Sequence, residues 1–276
     1  MAREEGGGRP IQPAFRALLG LFVALAVGAT LSLVFQPERT EDFFAWPITP
    51  PLTAALLGAG YASALVLFTL TLREREWANA RVAVSAPLML STALLVATLL
   101  HLDRFPLDEG GLSAAIAWIW LVVYIIVPPA LVAVAIIHET AAGDDSPRTR
   151  PLPPLLRLVF AVAGGLAIVG GAALFAAPSE LADRWPWTIT PLTGRALAAW
   201  ILGLGVAAVH VTLDNDLRRM RVASPALVVV GVVGLTAVAR FSEDLDGGWG
   251  TVALVVVLLS FVGLGGAAWR LERRPS

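Results

Sequence analysis

Long apolar runs alternate with short polar segments along the chain, and eight of these runs approach the length of a membrane-spanning helix. A helix needs roughly 20 apolar residues to cross the hydrocarbon layer, because each residue advances its axis by only about 1.5 Å. The pattern therefore predicts an all-α, polytopic transmembrane helical bundle of about eight spans. The predicted spans run approximately from Ala14 to Phe35, Leu52 to Leu72, Val82 to Leu102, Leu112 to His138, Leu155 to Ala177, Leu192 to Leu213, Val222 to Arg240 and Trp249 to Trp269.

The composition agrees with lipid surroundings. Hydrophobic residues make up 57% of the chain and charged residues only 15%, whereas soluble domains carry about 25% charged residues. The formal net charge of -1 offers no basic surface, so no nucleic-acid partner is expected. Cysteine is absent, which excludes disulfides, Cys zinc sites and thiol catalysis. All 20 basic side chains are Arg, a usage typical of a GC-rich bacterial genome.

Arginine is distributed unequally between the two ends of the predicted spans. Cytoplasmic loops of membrane proteins are enriched in basic residues, so the Arg-rich end is predicted to be cytoplasmic. Both termini lie at that end, and we expect a multi-pass protein of the plasma membrane. The Arg-rich end holds Arg3, Arg9, Arg16, Arg73, Arg75, Arg81, Arg148, Arg150, Arg157, Arg218, Arg219, Arg221, Arg270, Arg273 and Arg274, and the Arg-poor end holds Arg39, Arg104, Arg184, Arg195 and Arg240.

The chain resembles itself at an offset of about 140 residues. A unit with an even number of spans returns the chain to its starting side, so both copies must have the same orientation. We predict two parallel four-helix repeats, 1–140 and 155–276, joined by a cytoplasmic linker, 141–154. The matches are Pro37, Asp42, Trp46, Ile48, Thr49 and Pro50 with Pro178, Asp183, Trp187, Ile189, Thr190 and Pro191, then Arg81-Val82-Ala83 with Arg221-Val222-Ala223, and Arg104-Phe105 with Arg240-Phe241.

The first apolar run could instead be a cleaved signal sequence, because basic residues precede it and small residues lie within it. Its counterpart in the second half, Leu155 to Ala177, lies in the middle of the chain and cannot be a signal. We therefore interpret the first run as a membrane-spanning helix.

A Trp-x-Ile-Thr-Pro motif precedes the second and sixth spans, with Trp46 and Thr49 in one copy and Trp187 and Thr190 in the other. Trp favours the headgroup level, Thr caps helices and Pro is accepted in a first helical turn. The motif is therefore predicted to fix where these helices enter the membrane. The functional alternative is a symmetric vestibule at the Arg-poor end, lined by the aromatic side chains.

Charged residues recur beside this motif at the Arg-poor end. Asp42 and Asp183 occupy equivalent positions, and Arg104 and Arg240 recur where Arg is otherwise scarce. We hypothesise that Asp42 pairs with Arg104 and that Asp183 pairs with Arg240, which would join two loops in each repeat. The alternative is that all four side chains contact water and lipid headgroups.

The centres of the predicted spans contain no ionisable residue. Arg195 lies just inside the sixth span and is predicted to extend its side chain to the interface. His210 is the most interior ionisable group, and His138 lies at a similar depth on the fourth span. Two His at one depth could ligate a b-type haem, or each could make polar contacts at a helix end.

The fourth span differs from the eighth because it contains Trp120, Tyr124 and the pair Pro128-Pro129. Proline removes a backbone donor and bends a helix. The bend could open space for a ligand, or a neighbouring helix could fill it.

No metalloprotease, P-loop or serine-hydrolase motif occurs in the sequence. We predict a noncatalytic membrane module or complex subunit, with no cofactor and no metal, whose partners are the lipid bilayer and a protein partner or second copy. The first alternative is a carrier or channel for a small neutral or apolar solute. The second alternative is a haem-binding protein or intramembrane enzyme.

Overall fold

A computed structural model describes residues 8–274, and within this range the fold is all-α without a strand. Eight helices are long and apolar enough to cross a membrane, as the sequence predicts. Arg3, which contributes to the predicted orientation, lies outside the described residues. The helices are α1 (Pro13–Phe35), α2 (Pro51–Thr71), α3 (Trp77–Leu100), α4 (Gly111–Glu139), α5 (Pro154–Ala176), α6 (Pro191–Asp214), α7 (Ala223–Arg240) and α8 (Trp249–Arg273).

Helix α3 begins at Trp77, one turn before the predicted start at Val82. The first turn, Trp77–Ala80, is buried throughout. Arg81 separates this turn from the stretch Val82–Leu100 and extends its guanidinium to Glu139 and Asp145. The sequence pattern missed this turn because the basic residue that interrupts it is neutralised within the fold.

Each odd-numbered helix packs against the next helix along the chain, and two further pairings join the halves. Helix α2 packs against α7, and α3 packs against α6. Within the first half, α2 and α3 make only a small contact. Each of the four central helices α2, α3, α6 and α7 therefore packs both against an outer helix of its own half and against a helix of the opposite half.

Glycines allow the closest helix pairs to approach. A Cβ atom at Gly164 of α5 would lie 3.1 Å from the backbone oxygen of Gly205 in α6, and one at Gly205 would lie 3.1 Å from the oxygen of Gly164. A Cβ atom at Gly60 of α2 would lie 2.8 Å from the indole ring of Trp200 in α6. Small residues therefore permit the helix contacts, as in other membrane proteins.

Corresponding segments of the two halves make corresponding contacts at the Arg-rich end. The backbone N–H of Trp77 donates to the carbonyl of Arg9 at 2.8 Å, and the N–H of Leu217 donates to the carbonyl of Arg150 at 2.8 Å. Both contacts attach the segment before the first helix of a half to the start of its third helix.

The linker between the halves is bonded to both of them. Asp145 lies 2.5 Å from Arg81 and 3.4 Å from Arg9. Ser146 donates its hydroxyl to Glu76 at 2.6 Å, and its carbonyl accepts from Arg219 at 3.0 Å. These bonds hold the connection against the Arg-rich end of the bundle.

Candidate functional site

Aromatic side chains fill the Arg-poor end of the first half. The ring of Trp46 lies 4.9 Å from that of Phe44, 5.5 Å from that of Phe105 and 5.0 Å from that of Trp120, measured between centroids. All four side chains are buried, and Trp46 is only 3% exposed. We call these four residues the filled cluster. Trp46 therefore lies inside the fold and does not line an open vestibule, so the symmetric vestibule is wrong for this copy of the motif.

The predicted aromatic residues of α4 extend this packing towards the middle of the bundle. The indole N–H of Trp120 donates to the hydroxyl of Thr98 at 3.0 Å. The ring of Trp120 lies 4.3 Å from that of Tyr124, whose hydroxyl is 2.8 Å from that of Tyr61 in α2. The sequence did not point to Tyr61, because a single tyrosine in an apolar span does not indicate a polar contact until the neighbouring helix is known.

The prolines of α4 do not open a ligand space. The helix continues through Pro128 to Glu139, and Pro128 is buried. Its neighbours Val127 and Leu131 belong to a core cluster with Phe15. Of the two interpretations of this site, the structure favours filling by neighbouring helices.

The corresponding end of the second half contains an open cavity of about 410 Å³. Two indole rings form one corner, with the centroids of Trp185 and Trp187 5.4 Å apart and their planes at 70°. Asp183, Asp244 and Asp246 contribute carboxylates to its lining. We call the space lined by these five residues the acidic cavity. Trp187 and Asp183 are the two of these residues that the repeated motif predicts as candidates.

An aliphatic residue, Leu245, lines this space where the first half has an aromatic ring. The turns Leu102–Arg104 and Ser242–Asp244 follow α3 and α7, so Leu245 takes the place that Phe105 has in the first half. Trp187 is buried like Trp46, but its indole N–H donates to Thr53 of α2 at 2.7 Å. Aligning these two turns, instead of the two Arg-Phe pairs, would have identified Asp244 and Asp246 as candidate residues.

The two motif threonines have different roles. Thr190 caps α6 as predicted, because its hydroxyl accepts from the N–H of Thr193 and the Thr193 hydroxyl accepts from the N–H of Thr190. The prediction is wrong for Thr49. An extra proline, Pro50, occupies the cap position of α2, and Asp244 accepts instead from the N–H of Leu52 at 3.1 Å.

The structure contradicts the hypothesised Asp–Arg pairs. Asp42 pairs with Arg39 at 2.9 Å, and Arg104 pairs with its neighbour Asp103 at 3.2 Å. Arg240 lies 3.5 Å from Glu38. The physical reason is the register: Arg240 is the last residue of α7, whereas Arg104 lies in the turn beyond α3, so the two arginines are not structurally equivalent.

Arg195 contacts a histidine of the other half instead of only extending to the interface. Its guanidinium donates to Nε2 of His101 at 2.8 Å, across the α3–α6 pairing. Burial lowers the pKa of His101, and the charge of Arg195 lowers it further. The imidazole is therefore held in the neutral form that accepts this hydrogen bond.

Of the remaining histidines, His138 has both ring nitrogens hydrogen-bonded, whereas His210 has a hydrogen-bonding contact only at Nδ1. Nδ1 of His210 lies 3.1 Å from Ser85, and its Nε2 lies 3.4 Å from the carboxylate of Asp214. His138 donates from Nδ1 to the carbonyl of Val134 at 2.8 Å and accepts at Nε2 from the N–H of Gln12 at 3.1 Å. These contacts contradict axial ligation of a haem by His138 and His210.

Across residues 8–274, no group of three or more His, Asp or Glu is arranged to hold a metal ion. No protein-family model, curated protein or solved structure matches the chain.

Proposed function

We propose that the chain is a noncatalytic module of the plasma membrane, acting as a subunit of a larger assembly, with both termini in the cytoplasm. Its eight apolar helices indicate a multi-pass membrane protein. The observation that carries the proposal is the filled middle of the bundle, where α2 and α6 meet. A subunit needs a stable apolar body, whereas a carrier needs a space for its solute.

Aromatic side chains fill this meeting point. The indole ring of Trp200 packs so closely on Gly60 that a Cβ atom there would lie 2.8 Å from it. The ring of Tyr61 meets the same indole edge-on, with 5.0 Å between the ring centroids. The hydroxyl of Tyr61 is bonded to that of Tyr124. The two tyrosine hydroxyls are therefore bonded to each other, and aromatic rings occupy the space where these helices meet.

A duplicated architecture accounts for the helix pairing. In this proposal, two parallel repeats are related by a pseudo-twofold axis along the membrane normal, so that α2 with α7 and α6 with α3 are equivalent pairs. The matching backbone contacts of Trp77 and Leu217 support it. The two repeats would then form one interlocked body rather than two separable domains.

The outer helices present apolar surfaces suited to hydrocarbon. Leu21 of α1 is 50% exposed, Ile125 of α4 49% and Val169 of α5 70%. Exposed apolar area of this extent is expected where lipid replaces water. The lipid bilayer is therefore the first partner that we assign, and a protein partner or second copy is the second.

Native mass spectrometry of gently extracted protein tests the subunit role. We expect the chain to be released with a second copy or with one other subunit in a fixed ratio. A chain that is always released alone would contradict the proposal.

A carrier for a small neutral solute is the second candidate, favoured by the cavity at the Arg-poor end. Vesicles that contain the protein distinguish the two candidates. A module should leave the rate of glycerol entry equal to that of empty vesicles, whereas faster entry would favour the carrier.

The cysteine-free chain makes the topology directly testable. Thr149→Cys places a thiol on the linker, and Ser179→Cys places one at the Arg-poor end; both positions are exposed. In intact cells, a membrane-impermeant maleimide should label S179C and spare T149C. Labelling of the linker variant alone would reverse the orientation.

A further inference from the structure

We draw no further inference here: the strongest candidate, the side-chain cluster of Ser85, His210 and Asp214 between α3 and α6 at the Arg-rich end, places an imidazole between a hydroxyl and a carboxylate, but the space beside His210 and Asp214 is too narrow to admit a water molecule and so holds no substrate.

Discussion

The filled cluster and the acidic cavity are built from segments that match each other in sequence, yet one is packed and the other is open. In the first half, Phe105 and Trp120 complete the packing around Trp46. In the second half, Leu245 replaces the first of these rings, and the space beside Trp187 remains a cavity. The comparison teaches that similar segments can be stabilised by aromatic packing in one half and leave an open space in the other.

The two matching tryptophans also differ in the hydrogen bonding of their indole N–H groups. The first half gains buried aromatic area, but the indole N–H of Trp46 has no acceptor in the described residues. The second half gives up packing, but the indole N–H of Trp187 is bonded to Thr53. The contribution of Trp46 should therefore come from packing alone, whereas that of Trp187 should include a hydrogen bond.

The largest expected effect is the removal of Trp120 from the filled cluster. Trp120→Ala should lower the free energy of unfolding by about 3 kcal/mol, because it leaves a void among three rings and leaves Thr98 without its donor. Val257, an aliphatic side chain on the outer helix α8, is 46% exposed and serves as a control. Val257→Ala should change stability by less than about 0.5 kcal/mol. Equal thermal shifts in detergent for the two variants would contradict the comparison.

The second prediction compares the equivalent tryptophans directly. Both Trp46→Phe and Trp187→Phe lose ring volume, but only the second leaves a buried hydroxyl, that of Thr53, without its partner. Trp187→Phe should therefore be more destabilising than Trp46→Phe by about 1 kcal/mol. Thermal unfolding of the two variants measures this difference. If Trp46→Phe has the larger effect, the hydrogen bond does not distinguish the two halves.

The sequence predicts the spans well but the contacts between them poorly. Long apolar runs determine where helices lie, so seven of the eight starts agree within about one residue, while α3 begins at Trp77 because Arg81 is neutralised inside the fold. Which helices become neighbours is not encoded in any local pattern. The contact of Arg195 with His101 depends on the α3–α6 pairing and was therefore missed.

Local register also limited the prediction of the candidate site. The repeated Arg-Phe pair is a strong sequence match, but Arg104 and Arg240 lie one helical turn apart relative to their helices. Thr49 has the same motif as Thr190, yet a single added proline moves it out of the capping position. A shift of one to four residues changes which contacts a side chain makes. The same shift hardly alters the predicted bounds of a membrane span.

The third prediction concerns how the second and sixth helices begin. Asp244 caps α2 from a loop 192 residues away along the chain, whereas Thr190 caps α6 from within its own first turn. Asp244→Ala and Thr190→Ala should each cost about 1 kcal/mol. Hydrogen exchange should separate them, because the first variant should speed exchange at Leu52 and the second at Thr193. Asp244→Asn, which keeps an acceptor oxygen, should lie between Asp244→Ala and the wild type.

The smallest expected effect is a pH dependence that only the first half carries. His101 follows α3, and the corresponding residue after α7 is Phe241, which cannot titrate. Because burial and then Arg195 lower the pKa of His101 in the folded state, the unfolded state takes up a proton more readily. The stabilisation should be complete above the ordinary His pKa of about 6.5 and should decrease as the pH falls through that value.

Thermal unfolding between about pH 5 and pH 8 measures this contribution. The wild type should lose more stability than His101→Gln as the pH is lowered, because the variant has no imidazole to protonate in the unfolded state. Arg195→Gln should reduce the pH dependence without abolishing it, because burial lowers the pKa of His101 more than the charge of Arg195 does. The carboxylate of Asp103 raises this pKa and so acts against both causes. A constant difference between wild type and His101→Gln across this range would show that the contact between α3 and α6 does not depend on a neutral imidazole.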